Sequence, residues 1–143
     1  MKKAVTVLFA LLIASCGTTE LSREDRYEFG AGRKAIVKTW NQPLLASMVL
    51  GDSPVVQILS LDGRKLNSAV LKLDEQIAVD IGVHEIEFAC VDRAGYNEQD
   101  FREVITLDVK PHHEYLVGCS FDSRFGPDGT YTGSFDVKEK RVN

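Results

Sequence analysis

The sequence predicts an all-β chain folded as an antiparallel β-sandwich. Short runs rich in β-branched and aromatic residues follow one another from Ala35 to Val137, and Gly, Pro, Asn and Asp fall between them at regular spacing. That is the pattern of strands joined by turns. Several runs alternate apolar and polar residues, as a strand that buries one face does. No useful stretch there repeats its apolar residues with the period of an amphipathic helix.

Each element has its own signal. TTELSREDRYEFGAGR (18–33) is polar and charged, and is expected to be a tether with a turn of helix from Ser22 to Tyr27. Ser22 would cap that turn, and Tyr27 and Phe29 would pack on the fold. AIVKTW (35–40) and LLASMVL (44–50) are β-rich runs parted by Asn41-Gln42-Pro43. PVVQILSL (54–61) ends at Asp62-Gly63, a strong hairpin dipeptide. AVLKL (69–73) and QIAVDI (76–81) follow, the second running into Gly82. VHEIEFACV (83–91) alternates clearly, which puts His84, Ile86, Phe88 and Cys90 on one face. FREVITLDV (101–109) points Ile105, Leu107 and Val109 one way. After the turn KPHH, EYLVGCSF (114–121) aligns Tyr115, Val117, Cys119 and Phe121. GPDG reverses the chain before TYTGSFDV (130–137).

The first residues carry a different message. Lys2 and Lys3 precede an apolar run from Ala4 to Ala14, broken only by Thr6, and Ala14 and Ser15 lead into Cys16. Positive, apolar, then small is the order of an export signal. The run is about eleven residues, where a membrane-spanning helix needs roughly 20. Ile13-Ala14-Ser15-Cys16 resembles the lipobox of bacterial lipoproteins. The resemblance implies that residues 1–15 are a signal peptide, cleaved before Cys16 once its thiol carries a diacylglyceryl group, with the new amino group acylated in turn. A thiolate is the nucleophile this chemistry needs, and a serine hydroxyl would not match it. Two or three acyl chains give durable anchoring where one does not. Gly17, where an inner-membrane retention signal would carry aspartate, implies an outer-membrane protein facing the periplasm if the host is Gram-negative. A plain secreted product is the alternative.

The expected organisation is therefore a signal peptide (1–15), a lipidated Cys16 with a tether (16–33), and one β-sandwich domain (34–143). The formal net charge is −4, and removing Lys2 and Lys3 makes it more negative. Such a balance argues against a nucleic-acid partner and against electrostatic attraction to anionic lipid. The lipid itself is the expected attachment to the membrane.

A second, shorter resemblance lies between Val55 and Phe121. Asp62-Gly63 closing a strand, Gly82-x-His84 before an alternating strand, and Tyr115 in a later strand are similar to PEGA-like and prealbumin-type sandwich modules of surface lipoproteins. The Pro-Glu-Gly-Ala tetrapeptide is missing, and Ile81 stands where a proline is common. This resemblance implies an immunoglobulin- or prealbumin-like sandwich and no particular activity, because one fold hosts many functions.

With Cys16 assigned to the lipid, Cys90 and Cys119 remain. They either pair in an oxidising compartment or sit as two small buried hydrophobes. Were their strands two apart in a meander, the cysteines would lie roughly 9–10 Å from each other, beyond the roughly 7 Å reach of a disulfide. Bridging would need the strand order to bring them side by side, or a bent sheet edge.

Candidate chemistry is sparse. His84 reads as a buried or edge histidine, since no Cys or His stands at ligand spacing. His112 and His113 fall in a turn, and adjacent strand residues would point apart. No Gly-x-Ser-x-Gly elbow and no EF-hand ligand series occurs. Trp40 and Phe125 are expected to plug the sandwich ends, and Tyr96 to stand exposed in a polar loop. The expected function is non-enzymatic: a binding or assembly module of the cell envelope with no cofactor and no bound metal, meeting an envelope protein or glycan. The alternative is an envelope enzyme or metal-binding lipoprotein using His84 or His112/His113. A third reading is a small accessory lipoprotein of a secretion machine.

Overall fold

A computed structural model of the chain describes residues 21–40, 54–66, 75–92, 100–125 and 131–143. They form one helix, α1 (Arg23–Gly30), and eight strands: β1 (Lys34–Thr39), β2 (Pro54–Leu61), β3 (Arg64–Lys65), β4 (Gln76–Asp80), β5 (Gly82–Asp92), β6 (Asp100–Val109), β7 (His113–Phe125) and β8 (Tyr131–Arg141). One sheet has the order β4-β1-β7-β8 and the other β3-β2-β5-β6. Every pairing is antiparallel except β1 with β7, which run parallel from Ile36↔Glu114 to Thr39↔Val117. The two sheets pack face to face as an all-β sandwich. The strands expected at 44–50 and 69–73 lie outside the described residues.

The alternation read from the sequence is what fills the core. Ile86, Phe88 and Cys90 of β5 are fully buried, as are Val109 of β6, Tyr115 and Val117 of β7, and Ala35 and Val37 of β1. Burying a residue such as Phe88 contributes about 1.5–3 kcal/mol, which is the main force closing the two layers. One strand departs from regular pairing: β2 carries an extra residue between Ile58 and Ser60. Glu75, itself buried, reaches across from the start of β4, and its carboxylate accepts the Ile58 N–H at 2.8 Å. Its own N–H donates to Thr39 Oγ1 at 2.9 Å. The bulge is thus tied to the opposite sheet by a buried carboxylate.

Asp62 and Gly63 have φ of 50° and 74°, so both central residues of the β2–β3 hairpin occupy the left-handed region that a two-residue turn matching strand twist requires. Upstream, the expected helical turn is real and longer than predicted. Ser22 caps it, its Oγ accepting the Asp25 N–H at 3.0 Å, and the helix runs on to Gly30. Asp25 pairs with Lys34 at 2.9 Å and Glu28 with Arg33, so ion pairs hold the helix against the start of β1. Phe29 is half-buried. Tyr27 is not packed on the fold as expected: it is 68% exposed and lies beside the Arg33 guanidinium.

Candidate functional site

The residues singled out from sequence separate to opposite ends of the sandwich. Cys90 and Cys119 form a disulfide, with their Cα atoms 6.1 Å apart. The meander that spoke against this bridge does not exist. β5 and β6 belong to one sheet, whereas β7 starts the crossing into the other, so the two cysteines face each other across the core. The bond is a staple between layers rather than between neighbours in one layer.

Around it sits an aromatic cluster. Phe101 of β6 lies 4.7 Å from Phe135 of β8 and 6.0 Å from Phe121 of β7, ring centre to ring centre. Phe88 is 5.8 Å from Phe135. Gly133 is required by this packing, because a Cβ there would stand 2.5 Å from both a Phe101 ring carbon and the Ser120 carbonyl oxygen. Trp40 does not plug this end. It is 54% exposed and its ring lies over Gly118 on the outer face of the sheet, with a contact of 3.8 Å for a Cβ there. The side chain of Phe125, the residue Tyr96 and the anchor candidate Cys16 lie outside the described residues.

The other end gathers the histidines, each in a separate setting. His84 Nδ1 is 2.7 Å from Asp62 Oδ2, while Asp62 Oδ1 accepts the Glu85 N–H at 3.0 Å. The His84 hydrogen bond, followed by that of Glu85, holds the Asp62 carboxyl below its ordinary pKa. An ionised Asp62 can only accept, so His84 Nδ1 is the donor of this bond. Nε2 is buried and, among the described residues, has no hydrogen-bond partner. The pair therefore clamps the Asp62-Gly63 turn onto β5, with the other ring nitrogen turned inward. His113 Nδ1 is 2.8 Å from the Pro111 carbonyl and Nε2 is 3.4 Å from Glu139. His112, at φ 58°, presses its ring on Gly32, leaving no room for a Cβ. Among the described residues, no group of three His, Cys, Asp or Glu side chains is placed to hold a metal.

Tyr115 completes this end. Its hydroxyl donates to the Asp108 carbonyl at 3.1 Å and accepts the Lys110 N–H at 3.0 Å, pinning the segment that carries the chain from one sheet to the other. The arrangement is a tyrosine corner in function. Burial raises the Tyr115 pKa, which keeps the donating proton in place. Asp62, His84 and Tyr115, the residues that carried the module resemblance, are all fold-holding groups here. Sequence reasoning missed Glu75 and the Asp62–His84 contact, since neither residue's neighbours signal a partner so far along the chain. An open groove of about 350 Å³ lies between α1 and the strand edges β3 and β4, lined by Leu21, Asp25, Leu61, Arg64, Leu66 and Ile77 among others. Among the described residues no helix is long and apolar enough to cross a membrane. No family model, curated protein or solved structure matches the chain.

Proposed function

We propose that the chain is a lipid-anchored β-sandwich of the bacterial cell envelope that acts as a binding or assembly module rather than as an enzyme. The observation that carries this reading is Ile13-Ala14-Ser15-Cys16 after a charged and apolar leader. The inter-sheet disulfide supports export, because such bonds persist in oxidising compartments and are rare in the cytosol. Burial of the His84 Nε2, the ring nitrogen turned away from Asp62, supports a non-catalytic role. A helix capped by Ser22 and tied to β1 by Asp25 and Lys34 gives the tether a fixed point of attachment to the domain. The outer-membrane, periplasm-facing location belongs to the same reading, with an envelope protein or glycan as partner.

The test is Cys16→Ser in the intact chain, followed by metabolic labelling with an alkyne fatty acid. Label on the wild type and none on the variant, together with retention of the uncleaved form, is the expected result. Label that survives the substitution overturns the assignment.

A further inference from the structure

The geometry points to the outer edge of β8 as a self-association surface, with a second copy of this chain added antiparallel across a two-fold axis at Val137. β8 is eleven residues long and ends its sheet, and among the described residues no strand pairs along its outer side. Which backbone groups face outward follows from two bonds. The Val142 N–H donates to the His112 carbonyl, so even-numbered residues of β8 spend their backbone groups on β7. The Val117 carbonyl accepts from Trp40 instead, which fits Val117 and Val137 facing each other without exchanging bonds. The N–H and C=O groups of Phe135, Val137 and Glu139 therefore lie at the open edge, ready for a strand.

The side chains then choose the strand and its register. Asp136 and Lys138 stand on the outer face, 72% and 74% exposed, 3.7 Å from one another. Antiparallel pairing centred on Val137 sets Asp136 of each copy opposite Lys138 of the other, twice by symmetry. Sliding the centre to Asp136 or Lys138 would oppose like charges on the axis, which is unfavourable. Sliding so that odd and even residues pair would turn core-facing side chains outward. Phe135 and Val137, core-facing but only half-buried, would be covered by the partner's edge. Lysines on an edge normally repel foreign strands, but here they oppose carboxylates of the same sequence. The surface so accepts its own kind and discourages others, and it does so whether or not Cys16 is lipidated.

The test is sedimentation velocity of the full chain purified in detergent, at micromolar to tens of micromolar protein. The wild type should be dimeric. Asp136→Lys and Lys138→Asp should each weaken self-association at least about tenfold, because attraction between two symmetry-related pairs becomes repulsion. Mixing those two variants should restore a dimer, since each now supplies the charge the other lacks. The mixture distinguishes a specific edge from a folding defect. A monomeric wild type, variants that dimerise as well as wild type, or a mixture that stays monomeric would each overturn the proposal.

Discussion

The two ends of the sandwich are closed by different physics. At one, the Cys90–Cys119 bond and the Phe88, Phe101, Phe121 and Phe135 rings join the sheets by covalent and apolar contact. At the other, where the chain enters β1 and leaves β8, Asp62–His84, the Tyr115 hydroxyl and the Asp25–Lys34 pair do the work with single polar contacts. The difference teaches where each kind of contact is useful. A staple between layers restricts the whole loop it closes in the unfolded chain, whereas a polar pin fixes only the local path of a turn.

The largest effect should come from opening the staple. Cys90→Ala/Cys119→Ala releases a loop of sequence separation 29, which corresponds to about 3–4 kcal/mol by chain entropy. Chemical denaturation with and without reductant checks this. The wild type should lose stability on reduction and the double variant should not respond.

Breaking a pin should cost less. Tyr115→Phe keeps the buried ring but leaves the Lys110 N–H and the Asp108 carbonyl without their partner, a loss of about 1–2 kcal/mol. The denaturation midpoint measures it, and the disulfide should still form. A loss as large as that of the cysteine variant would erase the contrast between the ends.

The smallest effect should be local and pH-dependent. Asp25 has its pKa lowered, first by the Lys34 hydrogen bond and then by that of Ser22. A depressed carboxyl stabilises the fold fully above its ordinary value of 3.8 and loses that contribution as pH falls through the lower folded value. Hydrogen exchange in α1, corrected for intrinsic rates, should quicken under acid while β5 stays protected. Lys34→Met should remove most of this acid dependence, and unchanged protection of α1 would refute the role of the pair.

The same contrast explains what was legible in the sequence. Alternation in β5 and β7 assigned Phe88, Cys90, Val117 and Cys119 to the core because period two is a local property of one strand. Ser22 was legible as a cap because its partner, Asp25, is three residues away. The disulfide was not legible, since the strands themselves do not say where the chain leaves one sheet for the other. That crossing, between Val109 and His113, turns a forbidding distance into an easy one. Trp40 was expected to plug an end of the sandwich, whereas it lies over Gly118, a contact set by the parallel β1–β7 pairing. Asp62, His84 and Tyr115 were visible as motif residues, but their task needed the other end of each hydrogen bond. Of the candidate site, the lipidation motif rests on sequence alone, and the edge of β8 emerged only from the sheet order.

β1 also has a mechanical meaning. Among the described residues it is the first strand, and it lies inside its sheet, with β4 on one side and β7 on the other. A pull on the chain ahead of Lys34 is therefore directed along two ladders at once, so their bonds share the load and yield together. An edge strand in that place would peel open one bond at a time.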